Sequence, residues 1–507
     1  MGRRGSRGLQ APPPLTFRRC ALSMIGCAVL LAVINLYMNL VSSYTMPAMQ
    51  LDLSPDGDIV GFHQFDLPPG VHQRPRKAKH PRDISLDSPS AAAHTETSCI
   101  GLCPHAASTQ TQESYVKSLV QSRMRNLPSN TFAIGPSNIN IEPLAAASTP
   151  TNFSSVWRTV SGWSKARQIT PANLDSDAMR LLFSAISTAE IIASSVPKRG
   201  TQLKLGLDLQ GGQKALLKPG RYERNWTAPT DTPYSGADRH NGEIAAFHLA
   251  QLLQLNRVPV VAGRRVNVER ELLGTADATL KATFFHQASK SGVGEQACFF
   301  GQCLYCRKED AICASPAGSI ESAIILWLTE PYATLKAMRS PWARTYDESR
   351  PAPWIVSPNY CEKVMKDEFF GQAPVFLDLM DMAVFDFIIG NADRHRLERF
   401  SGVEPPMILL IDNGKSFGNS QTDEISILAP LYQCCRVRTK LYSLLLRYSE
   451  IDFASVLNNR LRFDALFPIL TDQHLEAVNR RVRIILMVLA ACIESHGISN
   501  VVQNDGF

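Results

Sequence analysis

No acidic residue precedes Asp52, and no charge of either sign lies between Cys20 and Val41. Five arginines, Arg3, Arg4, Arg7, Arg18 and Arg19, stand before that uncharged run. They supply most of the excess of 52 Lys+Arg over 46 Asp+Glu; without them the balance is 47 against 46. The rest of the 507-residue chain lacks the basic surplus that a nucleic-acid-binding fold carries, so no nucleic-acid partner is expected. Internal repeats are also missing. So is a recognisable phosphate-binding glycine loop, because Gly211-Gly212 fits neither the Walker pattern nor that of protein kinases. An apolar share of 45% with 19% charged residues excludes a wholly disordered chain.

The uncharged run is long enough to cross a bilayer, which takes about 20 apolar residues. The arginines on its N-terminal side hold that end in the cytoplasm. The expected layout is a basic cytoplasmic tail (1–19), a transmembrane signal anchor (20–41) and a lumenal remainder, a single-pass type II topology. A signal peptide cleaved near Ser42 and Ser43 is the competing reading. Of twelve cysteines, eight lie in the later, regular part of the chain: Cys298, Cys303, Cys306, Cys313, Cys361, Cys434, Cys435 and Cys492. An even number in an exported chain points to four disulfides. Zinc is the alternative for the first four, which fall in one short segment. Asn152-Phe-Ser154 and Asn225-Trp-Thr227 are glycosylation acceptors once the chain is exported.

Residues 42–155 are rich in Pro, Ser, Thr and Ala and show no sustained period beyond a patch near Tyr115–Met124. They read as a mostly disordered lumenal stem. Regular apolar elements begin near Val156, so the folded domain is expected over 156–507. Gln202–Leu209, Gly211-Gly212 and Lys214–Lys218 read as a hairpin, Gly242–Leu255 as a helix, and Val258–Val261 and Arg265–Val268 as strands. Ile320–Leu328 reads as a further strand, Phe376–Ile389 as a helix closed by Gly390-Asn391, Met407–Ile411 as a buried strand and Leu475–Cys492 as a helix. A β-rich first half before a helical second half fits an α+β, bilobal, kinase-like fold, and the departures from ordinary kinase motifs make the expected protein-kinase-like fold an atypical one.

The chemistry concentrates in Gly390-Asn-Ala-Asp393-Arg-His395 and Met407-Ile-Leu-Leu-Ile-Asp412-Asn-Gly414. One acid follows a long buried helix, and a second follows a buried apolar run and precedes Gly414, which permits a sharp turn. Phosphoryl transfer needs such a pair. One carboxylate takes the acceptor proton, and the other holds the metal that bridges the nucleotide phosphates. Upstream, Lys218 ends a strand and Glu243 opens a helix, the lysine–glutamate arrangement that positions phosphates in kinases. Taken singly, Asp393 is an ordinary helix-end residue, Asp412 a turn, and Lys218 and Glu243 a solvated strand end and a first-turn charge.

Six longer stretches resemble the secretory-pathway kinases that include the Golgi casein kinase and the glycosaminoglycan xylosylkinase. They are GTQLK (200–204), LLKP (216–219), DRHNGEIAAFHL (238–249), CFFGQCLYC (298–306), DMAVFDFIIGNADRH (381–395) and IDNGKSFG with DEISILAPLYQCC (411–418, 423–435). The resemblance implies Asp393 as catalytic acid/base, Asp412 as metal ligand and Glu243 as a second metal ligand. It further implies that Gln202, Lys218 and Glu398 contact nucleotide, with Ile325, Leu326, Trp327 and Leu328 as the adenine hinge. Glu398 stands where ordinary kinases carry a metal-binding Asn, which fits a family preference for Mn²⁺, with Mg²⁺ as a substitute. The implied cofactor is ATP. The implied disulfides are Cys298–Cys313, Cys303–Cys306, Cys361–Cys434 and Cys435–Cys492. A related pseudokinase has Gln at the helix glutamate; Glu243 is intact, so an active phosphotransferase is expected.

Within that family two acceptors compete, serine in acidic protein segments and the 2-hydroxyl of xylose in the proteoglycan linkage region. Cys303-Leu-Tyr-Cys306, Asn391-Ala-Asp393, Pro341-Trp-Ala-Arg-Thr-Tyr346, Lys415–Asn419 and Ala429-Pro-Leu-Tyr432 resemble the sugar kinase more. Arg396-Leu397 departs from the usual His-Tyr. The expectation is a Golgi-membrane enzyme, also secreted if the stem is cut, with galactosyl-xylose as substrate and family homo- or heterodimers as partners. A non-catalytic lumenal partner is the remaining alternative. Trp342, Arg344 and Tyr346 could line a sugar pocket or simply pack at a lobe surface.

Overall fold

The period-two alternation of Leu205, Leu207 and Leu209 against polar neighbours builds one arm of a hairpin in the computed structural model. The model describes residues 100–104, 110–126, 149–171, 176–198, 200–289, 294–347 and 349–507. These belong to one unit, Ala93–Phe507. The tail and the candidate span at 20–41 lie outside the described residues. Among the described residues no helix is long and apolar enough to cross a membrane.

Three helices come first, α1 (Gln112–Arg125), α2 (Phe153–Ser161) and α3 (Ser176–Thr188). A five-stranded sheet follows, built from β1 (Ile191–Ser195), β2 (Leu205–Leu209), β3 (Gln213–Pro219), β4 (Val261–Asn267) and β8 (Ser319–Leu326). Its order is β1-β2-β3-β8-β4 and every neighbouring pair is antiparallel. The expected β2–β3 hairpin is present. Its Gly211, at φ +86°, lies so close to α2 that a Cβ would fall 2.8 Å from the Ser154 nitrogen, and Trp157 Nε1 donates to the Gln210 carbonyl. That glycine therefore serves packing. A second, three-stranded sheet joins β5 (Phe284–Ala288), β6 (Glu295–Phe299) and β7 (Ile312–Cys313).

Helix α4 (His240–Leu252) packs against β4 and β8. Beyond the sheet, β9 (Leu335–Arg339) pairs with β10 (Arg396–Phe400), and the helices α5 (Ala373–Ile389), α6 (Ala429–Cys434) and α7 (Asp472–His496) build the second half. This is the expected mixed, kinase-like arrangement. Gly390 closes α5 at φ +68°, the left-handed helix end that glycine accepts without strain.

Three expectations need correction. Where two strands were foreseen, at Val258–Val261 and Arg265–Val268, there is one, β4, which begins at Val261 and runs to Asn267; Val258–Val260 precede it and Val268 opens the next helical turn. Gly263 does not break it; a Cβ there would sit 2.3 Å from Asp464 Oδ1, and its N–H donates 2.6 Å to Asp464 Oδ2. Met407–Ile411 is buried over most of its length, yet among the described residues it forms a single bridge, Glu398 with Leu409. Its amides are satisfied elsewhere, Ile408 by the Asp378 carboxylate at 3.0 Å and Leu410 by the Arg257 carbonyl at 2.9 Å. The segment read as a stem is also structured in part. In α1, Val116 and Val120 are buried, and Arg123 reaches Glu494 and the Met487 carbonyl on α7. Ahead of it, Leu102 is buried and its N–H donates to the Tyr432 carbonyl.

The four expected disulfides are present, Cys298–Cys313, Cys303–Cys306, Cys361–Cys434 and Cys435–Cys492. This is the pairing that the resemblance implies, and it leaves none of these thiols for zinc. Cys103 is disulfide-bonded as well, which the count of eight overlooked. Asn152 and Asn225 are both exposed, and Asn152 also caps α2 through its side chain.

Candidate active site

Lys218 leaves β3 as a buried ammonium and meets three carboxylates: Glu243 Oε1 at 2.6 Å, Asp412 Oδ1 at 2.7 Å and Asp238 Oδ2 at 2.9 Å. Burial works against its charge, but the three acids outweigh it and raise its pKa well above the ordinary lysine value. Burial also pushes Glu243 up, with Lys218 opposing. Asp412 is 72% exposed, and Lys218 holds its carboxyl well below the usual range. Asp238, the first residue of the DRHNGEIAAFHL stretch, carries no sign in the sequence of its contact with Lys218. It precedes α4 by two residues, and Arg239 anchors that turn through the Gly414 and Ser416 carbonyls.

The role foreseen for Gly414 changes accordingly. The left-handed residue of the turn is Asp412 itself, at φ +63°. Gly414 instead admits Asp238, whose Cβ and Cγ would each stand 2.7 Å from an added Cβ. Lacking a side chain there, the turn lets the acid reach Lys218.

Asp393 sits in the loop after α5, and Arg394 fixes that loop. Its guanidinium grips Asp386 with Nε at 3.0 Å and Nη2 at 2.8 Å, and donates to the Ile411 carbonyl and to Asn413 Oδ1 at 2.6 Å. One buried side chain therefore ties the Asp393 loop to the Asp412 turn. The Asp393 N–H rests on Asn391 Oδ1 at 3.1 Å. The Asp393 carboxylate accepts a hydrogen bond from the Tyr346 hydroxyl, and His395 Nδ1 lies 3.4 Å away. That contact raises the His395 pKa. Burial and the Asp393 bond push the Tyr346 phenol well above its ordinary value.

The other expected residues spread around this centre. Glu398 is half-buried on β10, and burial, then the Asp412 charge, raise its pKa. Ile325 and Leu326 end β8. Trp327 leaves the sheet with its N–H on the Lys214 carbonyl and its carbonyl on Gln213, and Leu328 joins the small cluster of Ile169, Phe400, Met407 and Leu409. Gln202 is half-buried beside Gly200, over which Lys204 folds. Lys204 also helps lower Asp412, a contribution not foreseen.

The three aromatic-loop residues divide. Trp342 is buried and its Nε1 donates to Gln433 at 2.8 Å, so it packs. Arg344 braces the loop through the Ala392 carbonyl and Ser426. Tyr346, with Arg339, Arg344, His395 and Arg396, lines an open cleft of about 440 Å³ next to Asp393.

A β-rich half bearing a strand lysine paired to a helix glutamate, set against a helical half bearing two loop acids, defines a kinase-like enzyme. The family model described as Golgi casein kinase, C-terminal, Fam20 matches residues 155–501, and the chain belongs to this family. The human glycosaminoglycan xylosylkinase is 39% identical over 352 residues, covering 69% of this chain and 83% of that protein. The human extracellular serine/threonine protein kinase FAM20C is 39% identical over 335 residues, covering 65% of this chain and 56% of that one. Among solved structures, hydra Fam20 with sugar matches at a TM-score of 0.66 and 38% identity, covering 69% of this chain and 99% of that chain. The Golgi casein kinase with Mn/ADP bound matches at 0.64 and 26% identity, covering 82% and 97%.

Proposed function

We infer that this protein is an ATP-dependent kinase that phosphorylates the 2-hydroxyl of xylose in the linkage region between glycosaminoglycan and core protein. The observation that carries the phosphoryl-transfer reading is the Lys218–Glu243–Asp412 cluster, held by Arg394 beside the loop of Asp393. The sugar reading draws on the xylosylkinase relative and the sugar-bound hydra structure.

Asp393 accepts the proton of the attacking hydroxyl. Its carboxylate is already hydrogen-bonded by a hydroxyl, that of Tyr346, so an acceptor hydroxyl finds an oriented partner. Lys218 positions the nucleotide phosphates, and Glu398, Gln202 and the 325–328 segment surround the nucleotide. The donor set suits a hard divalent cation. Three carboxylates converge on one ammonium, which leaves two negative charges uncompensated within the group. Among the described residues these acids close on Lys218, and no three metal-binding side chains already surround a metal-sized space. Asp412 and Glu243 would hold Mn²⁺, which when bound neutralises charge on the phosphates.

The reading places the catalytic domain in the Golgi lumen behind a type II anchor at 20–41. The test offers the full chain labelled ATP and Mn²⁺ with two acceptors, a galactosyl-xylose glycoside and an acidic serine peptide. Label on the glycoside supports the sugar kinase. Label on the peptide alone overturns the acceptor and keeps the phosphoryl-transfer site. Label on neither, with folded protein, favours a non-catalytic partner.

A further inference from the structure

The cleft beside Asp393 carries a charge that a neutral galactosyl-xylose does not use. Arg339 on β9 and Arg396 on β10 are direct cross-strand partners, so their side chains leave the same face of the ribbon. Like charges placed opposite each other weaken a strand pair. Both residues are exposed, and among the described residues neither forms an ion pair. The Arg394 beside them is fully engaged with Asp386 and Asn413, whereas these two guanidinium groups face the open cleft. The cleft lining adds Arg344 and His395 and contains no carboxylate.

We propose that Arg339 and Arg396 form an anion subsite that binds carboxylates of the peptide to which the xylose is attached. The reasoning is geometric and rests on the xylose-kinase reading. The reacting oxygen is on C2 of the sugar, one carbon from C1, which bears the serine. When the 2-hydroxyl meets Asp393, the peptide is therefore the part of the acceptor closest to the adjoining cleft. Galactose extends from the opposite side of the ring. Two guanidinium groups that make no direct ion pair among the described residues, with Glu398 on the same face of β10 close enough to feel the Arg396 charge, match acidic side chains flanking that serine.

The experiment uses the full chain with ATP and Mn²⁺ and three acceptors. They are galactosyl-xylose on a glutamate-flanked serine peptide, the same glycan on a glutamine-flanked peptide, and the simple glycoside. The acidic glycopeptide is expected to show kcat/KM about five- to tenfold above the neutral one at low salt, from two solvent-exposed charge contacts. That advantage should shrink as salt shortens the screening length. R339E and R396E should each reverse the preference, read within each variant as the ratio of kcat/KM for the acidic glycopeptide to that for the neutral one. Equal use of both glycopeptides overturns the subsite. A raised KM for ATP in R396E also overturns it, by assigning the charge to the nucleotide. If no galactosyl-xylose acceptor is phosphorylated while a serine peptide is, the underlying xylose reading falls and takes the subsite with it.

Discussion

Replacing Lys218 with methionine tests the centre most directly. Among the described residues the ammonium is the only cation hydrogen-bonded to Glu243, whose side chain is 2% exposed. Removing one partner of a buried ion pair costs about 3–5 kcal/mol. At roughly 1.4 °C per kcal/mol, from about 2.1 cal/mol/K of unfolding entropy per residue over roughly 350 residues, the melting temperature should fall by about 4–7 °C at pH 8. The loss should depend on pH. Burial already raises the Glu243 pKa, and without Lys218 nothing in the group offsets that rise. A carboxylate whose pKa is higher in the folded state stabilises fully below its unfolded value near 4.3, and that contribution is lost as pH rises through the folded value. K218M should therefore approach wild type near pH 5 and diverge from it toward pH 8. Mn²⁺ should restore part of the difference at pH 8, since a cation bound only by the folded state stabilises it. The measurement is thermal unfolding of wild type and K218M at pH 5, 6.5 and 8, with and without Mn²⁺. A loss independent of pH, or none, would refute the view that one ammonium balances three carboxylates.

Asp412→Ala should abolish turnover and the thermal shift produced by ATP with Mn²⁺, while the four disulfides form normally; wild-type turnover would place the metal site elsewhere. Gly414→Ala should cost about 1–3 kcal/mol by overpacking against Asp238 and lower kcat more than it changes the KM of the acceptor, checked by denaturant unfolding and steady-state rates. Asp378→Ala should cost about 3–5 kcal/mol, because it leaves the Arg167 guanidinium without its carboxylate and the buried Ile408 N–H without its acceptor, while Arg257 and Arg438 keep Asp381; urea unfolding reads this. A chain beginning at residue 156 should be less stable than one beginning at residue 93. It lacks Leu102, Val116 and Val120, each worth about 1.5–3 kcal/mol when buried, and comparative thermal unfolding gives the difference.

The pattern of apolar residues was enough to find α4, α5 and α7 and the β2–β3 hairpin, because each carries a period set by its own backbone. What depended on distant partners was hidden. Asp378, Asp381 and Asp386 interrupt the apolar pattern of α5, and only the fold brings them Arg167, Arg257, Arg438 and Arg394. Asp238 is a polar residue before a helix until Gly414 allows it near Lys218. Asp393 and Asp412 were legible because each follows an apolar run, whereas their common brace, Arg394, looks like any charged loop residue. Trp342 left two readings open, a sugar pocket or packing, and its burial against Gln433 selects packing.

Cys434 and Cys435 are neighbours in sequence but belong to different crosslinks, one to Cys361 and one to Cys492. The left-handed backbone at Cys435, φ +48°, ends α6 and turns successive side chains toward separate partners. During oxidation the two sulfurs can exchange partners, giving an isomer with the same mass and the same number of bonds. The residue before them, Gln433, joins Trp342 to the carbonyl of Trp354, so a swapped pair would shift the wall behind Tyr346 while leaving thiol counts normal. Quality control of this chain is therefore a matter of connectivity, resolved by peptide mapping of the bridges, because full oxidation alone does not distinguish the two pairings.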